Sequence, residues 1–154
     1  GFAFAIVLAE MAALDRAEAL GGTRGVYALQ AAIAACHARA VTADETDWPR
    51  IVALYDALAQ VAPSPVVELN RAVAVGMAFG PAAALEIVDA MRGEPSLRTY
   101  QWLPGVRGDL LAKLGRYDEA CAEFARAATL TRNAREREHL EERIRACGGA
   151  TPAA

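Results

Sequence analysis

The segment Leu110–Leu130, "LLAKLGRYDEACAEFARAATL", constrains the fold of this chain more than any other stretch. Gly115 stops one helix and Tyr117 opens the next. A turn that short forces two helices to run antiparallel. Ala120, Phe124 and Ala127 recur three or four residues apart and so share one helix face. Small residues there let a partner backbone approach closely, and Phe124 supplies the wedge. The rest of the chain has the same character. Apolar residues make up 55% of 154, with alanine dominant and aromatics only 6%. Alanine is the strongest helix former, and β-branched or aromatic runs of strand type are few. The expectation is all-α, in one helical-repeat domain over residues 1–147 with a frayed tail at 148–154.

Helical periodicity with short punctuation runs through the sequence. Helices are expected at about Phe2–Leu20, closed by Gly21-Gly22, and at Val26–Ala40. A polar loop, Thr42–Asp47, leads to a helix capped by Asp47 and running to Val61, with Pro49 in its first turn. Further helices are expected at Val66–Ala78, from Pro81 to Met91, up to Leu114, at Tyr117–Leu130, and at Ala134–Cys147 after an Asn133 cap. Pro104, Gly105 and Gly108 leave either a late start or a kink in the sixth. The positions of Ala120, Phe124 and Ala127 recur as Ala84, Val88 and Met91, as Ile51, Tyr55 and Leu58, and as Ala13, Ala17 and Leu20. A repeat of this length and pattern is of the tetratricopeptide kind. It predicts a right-handed stack of about four antiparallel pairs, some eight helices in all, whose first-of-pair helices line a concave groove. Such grooves take peptides or partner helices. Arg132 stands where the last pair's closing proline belongs, so the eighth helix is expected to be a modified cap.

Composition and motifs narrow the function. Net charge is −3, and Lys113 is the single lysine. The basic face that nucleic acid needs is missing, so no direct nucleic-acid binding is expected. No membrane association is expected either, since no apolar run reaches ~20 residues without interruption. Cys36, Cys121 and Cys147 are far apart and form no CxxC pair, which fits a reducing cytoplasm and predicts neither a zinc site nor a disulfide framework. Cys36 and His37 are adjacent on a helix and point about 100° apart, a poor start for a metal site. The serines lie in proline turns, and no phosphate loop or nucleophile elbow is present. The expectation is a protein that is not an enzyme and uses no cofactor.

Polar residues on otherwise apolar helices are the candidates for a partner-binding groove. Asn70 and Arg71 interrupt "PSPVVELNRAVAV", either tying adjacent helices together or facing the groove. Gln30, Tyr55 and Arg107 present the same choice, and His37 reads as a polar groove or capping residue. His139, within "RNAREREHLEERIR", reads as part of a solvated face.

Five blocks carry a family resemblance: Ala9–Gly22, Tyr27–Ala40, Thr46–Leu58, Pro63–Val75 and Arg107–Asn133. In that order they resemble the C-terminal extension of a subgroup of extracytoplasmic-function RNA polymerase sigma factors. Arg107 and Asp109 match that family's Arg-x-Asp-Leu-Leu pattern, while Pro104 and Gly105 depart from its usual Ala-rich stretch. The resemblance implies a tetratricopeptide-like regulatory domain that controls transcription initiation through protein contacts. The implied partners are the sigma factor's own DNA-binding domains, RNA polymerase or a regulatory protein, with a homodimer also open. The promoter-binding domains have no counterpart here, and the first residue is Gly1 rather than Met, as expected of one part of a longer polypeptide. The alternative is a free-standing scaffold that binds a peptide or dimerises.

Overall fold

A computed structural model describes residues 22–40 and 43–149. Among them are seven α-helices, two 3-10 turns and no strand, so the protein is all-α. The expected helix over Phe2–Leu20, with Ala13, Ala17 and Leu20, lies outside the described residues. The chain divides into two compact units, Gly1–Ala74 and Val75–Ala154.

In the first unit, α1 spans Gly22–Arg39, α2 Trp48–Val61 and α3 Pro65–Phe79, the last continuing past the division. α1 starts four residues before the expected Val26, so Gly22 opens a helix instead of only ending one. Leu29, Ile33 and Cys36 make its buried stripe, and α1 packs against α2, whose Ile51, Leu54 and Leu58 are buried as well. Burial of each such side chain contributes about 1.5–3 kcal/mol. Part of the polar loop is a 3-10 turn, Ala43–Glu45. Asp47 caps α2 as expected: its Oδ1 accepts from the Arg50 N–H at 3.2 Å, and Pro49 occupies the first turn.

The second unit adds α4 (Pro81–Ala90), a 3-10 turn (Pro95–Leu97), α5 (Trp102–Lys113), α6 (Tyr117–Leu130) and α7 (Ala134–Gly149). The sixth expected helix is α5, and it is not kinked. Pro104 is its third residue, and the amide it lacks is one of the first four that have no partner within a helix. α5 ends in a two-bond cap. Gly115, at φ 76°, donates to Ala112 O at 3.0 Å, and Arg116 donates to Leu111 O at 2.9 Å. Few side chains accept that backbone, which explains the glycine.

The α5–α6 pair has the joint expected of a tetratricopeptide hairpin. A Cβ on Gly108 would stand 2.7 Å from the Phe124 ring, closer than van der Waals contact permits. Ala120, Phe124 and Ala127 are all buried. So are Ala84 and Val88 on α4, Met91 just past its end, and Ile51 and Leu58 on α2; Tyr55 is half-buried. Gly76 meets Ala84 in the same manner, with 3.1 Å to a virtual Cβ. α7 packs along α6 and continues through Gly148 and Gly149, which the sequence reading assigned to the tail.

The missing proline at Arg132 has a structural replacement. Buried Thr131 donates its hydroxyl to Glu136 Oε2 at 2.6 Å and accepts from the Asn133 N–H at 3.2 Å. Asn133 Oδ1 caps α7, accepting from the amides of Arg135 at 2.9 Å and Glu136 at 3.2 Å. Arg137 donates to Thr131 O at 2.8 Å. Hydrogen bonds therefore fix this corner where a locked ring would otherwise do so.

Candidate functional site

The six sequence candidates fall into different settings. Gln30 and His37 lie on the exposed side of α1. The His37 ring meets Trp48 edge-on, with centroids 5.5 Å apart and planes at 76°, so it packs against the start of α2. Tyr55 on α2 is half-buried, and burial pushes its hydroxyl above the usual phenol range. Asn70 is exposed on α3. Its neighbour Arg71 ties helices together: it donates to Glu68 at 2.7 Å and 3.0 Å and reaches across to Asp56 of α2 at 3.3 Å. The hydrogen bond from Arg71 holds the Glu68 carboxyl below its ordinary range.

Arg107 has the most buried setting. It is 6% exposed and joins three consecutive helices. Its Nε donates to Asp89 of α4 at 2.8 Å, and its Nη1 pairs with Glu123 of α6, itself 8% exposed, at 3.2 Å. A guanidinium buried in this way serves as a tie between helices and not as an open groove contact. Two carboxylates compensate its charge, as a buried ion requires.

The two arginine clusters are in phase with the repeat. Arg71 and Arg107 lie 36 residues apart, the offset from Ala84 to Ala120. Their partners Asp56 and Asp89 lie 33 apart, the offset from Ile51 to Ala84. A further step of 36 reaches Arg143 on α7, but the corresponding acid position on α6 is Ala125. Without that carboxylate Arg143 makes other contacts. It pairs with Asp109 of α5, and its guanidinium carbon lies 4.7 Å from the centroid of the Phe124 ring, a cation–π contact.

Arg143 also lines a groove of about 290 Å³ between α5 and α7, floored by α6. One wall is Trp102, Gly105, Val106 and Asp109; the other is Glu136, His139, Leu140 and Arg143. Both sets have the spacing i, i+3, i+4, i+7 of a single helix face. Phe124 and Ala127 form the floor. Trp102 is 48% exposed at the rim, and nothing lies within 4 Å of a virtual Cβ on Gly105. The surface is largely apolar with a few polar groups at its edges, a composition suited to an apolar side chain from a partner. None of the six sequence candidates lines it. The run around His139 hid the α7 wall: three of its four residues are ionisable, so the face resembles solvated surface unless α5 is set opposite it.

Among the described residues no helix is long and apolar enough to cross a membrane. No group of three metal-ligating side chains converges among them.

No family model and no solved structure matches the chain. A protein of Rhizobium meliloti (strain 1021), described as uncharacterised, is 49% identical over 120 residues, which are 78% of this chain and 28% of that protein. The chain thus matches less than a third of the length of this relative.

Proposed function

We propose that this chain is a regulatory, protein-binding module of an extracytoplasmic-function sigma factor, and that it controls transcription initiation through contacts of its helical surfaces. The α5–α7 groove carries the protein-binding part of this reading. It joins an exposed tryptophan, an apolar floor and open space over Gly105 on the helices that should line a concave face. The sigma-factor part rests on the five ordered sequence blocks. The Rhizobium meliloti relative has room for such domains: 120 residues are 28% of that protein, so it has about 430.

In this role the module does no chemistry. It holds or releases a partner segment in a cytoplasmic transcription complex, and promoter recognition falls to other domains. The test uses the full reading frame that contains this chain. Deleting the module should change transcription from the sigma factor's own promoter, and the separated halves should co-purify. Unchanged transcription together with halves that never associate would rule the regulatory role out.

A free-standing scaffold that binds a peptide or dimerises is a second reading. Val66 and Val73, two turns apart on α3, are both exposed. A reading frame with no sigma-type DNA-binding region would favour it.

A further inference from the structure

Cys121 and Cys147 are 26 residues apart in sequence, but the packing of α6 on α7 brings them together. The Cys121 Sγ lies 3.5 Å from the main-chain oxygen of Ile144. In an α-helix the γ atom of residue i comes within hydrogen-bonding reach of the carbonyl of residue i−3. Cys147 stands one turn beyond Ile144 on the same face of α7, beside the carbonyl that Cys121 touches, and it is among the neighbours that raise the Cys121 thiol. Cys147 is buried and Cys121 is partly open to solvent. The third cysteine, Cys36, is buried in the other unit.

We propose that Cys121 and Cys147 form a reversible dithiol–disulfide pair that cross-links α6 to α7 when a peroxide reaches the protein. Cys121, the more accessible sulfur, attacks one oxygen of hydrogen peroxide as its thiolate. The O–O bond breaks, hydroxide leaves and takes up the thiol's proton as water, and Cys121 becomes a sulfenic acid. The Cys147 sulfur then attacks the Cys121 sulfur. The S–O bond breaks, the S–S bond forms, and the hydroxyl leaves with the Cys147 proton as a second water. Two thiols and one peroxide give one disulfide and two waters. A thiol-based reductant reverses the step by exchange.

Burial holds the Cys121 thiol above its ordinary value, and the neighbouring Cys147 and Asp118 raise it further. A raised Cys121 thiol slows thiolate formation, so the disulfide forms under an oxidising pulse and not under resting conditions. Its consequence is mechanical. The disulfide pins the C-terminal part of α7, the helix that supplies Glu136, His139, Leu140 and Arg143 to the groove. The cross-link itself does not depend on what the groove binds.

Peptide mapping tests this directly. The 154-residue chain is treated with hydrogen peroxide, the remaining thiols are alkylated, and trypsin is added. Cleavage after Arg116, Arg126 and Arg145 separates Tyr117–Arg126 from Ala146–Ala154, so one linked species reports the bond. The expected result is that species, two hydrogens lighter than the sum of the two peptides, lost on reduction and absent in Cys121→Ser. The oxidised chain should also melt about 5–10 °C higher. Peroxide that leaves Cys121 as a sulfenic or sulfinic acid with Cys147 still alkylated would overturn the proposal. So would a bond to Cys36 or to a second chain. Because mapping is done on the wild-type chain, the result does not depend on whether a variant folds.

Discussion

Arg71 and Arg107 occupy equivalent places in successive repeats, and each grips two carboxylates, yet they differ in kind. Arg71 is partly solvated; its partners Glu68 and Asp56 are 35% and 56% exposed as side chains. Arg107 and Glu123 are buried together. The first cluster is a surface clamp in which water screens the charges. The second is an internal tie in which loss of one partner strands the other. Arg143, the third in the series, lacks the equivalent acid and serves a groove. One residue at one repeat position thus moves from clamp to tie to groove wall as its carboxylate partners change.

This comparison breaks most readily at Arg107. Its replacement by Ala should destabilise the fold by about 3–5 kcal/mol, since Glu123 is left as a buried, unpaired charge; urea unfolding measures the loss. A cost near that of Arg71→Ala would show that burial does not separate the two clusters. Next in size, Gly108→Ala should lose about 1–3 kcal/mol through overpacking against Phe124, whereas Gly105→Leu, three residues earlier on the same helix, should be neutral or gain up to about 1 kcal/mol. Parallel thermal melts of both variants test that contrast. Arg71→Ala should cost about 1 kcal/mol or less, and less still in high salt. The smallest effect is a pH slope. Glu68 is held below its ordinary carboxylate range, so its contribution is fully present above that range and is lost as the pH falls through the lowered value. Glu68→Gln should flatten that part of the stability curve, and an unchanged slope would place the acid sensitivity elsewhere.

The fold was largely legible because its punctuation is local. Asp47, Pro49, Pro81, Gly115 and Asn133 act on adjacent backbone, and α2 and α6 run over the residues their sequence spacing predicts. The start of α1 was not legible, because Gly21-Gly22 reads equally as an end or a beginning. Pro95–Leu97 forms a 3-10 turn that resembles a helix start until Pro104 is placed. The groove was less visible for a different reason. Its α7 wall is written in charged residues, and whether a charged face meets solvent or a neighbouring helix depends on tertiary packing. Cys121 and Cys147 were read as distant because sequence separation carries no information about which helices pack. The Arg71–Asp56 and Arg107–Asp89 ties lie at the repeat offsets, yet only the pairing of helices gives those offsets a meaning.

Transcription in vitro by the full-length protein with RNA polymerase, with Gly105→Leu against wild type, tests the proposed role most directly. The leucine fills the groove without disturbing a packed neighbour. The expected result is a change of about tenfold in initiation at the sigma factor's own promoter, the effect of about 1.4 kcal/mol at a partner contact, with a melting temperature no lower than that of wild type. Initiation equal to wild type, from a variant that melts no lower than wild type, would contradict the claim that this groove regulates the complex.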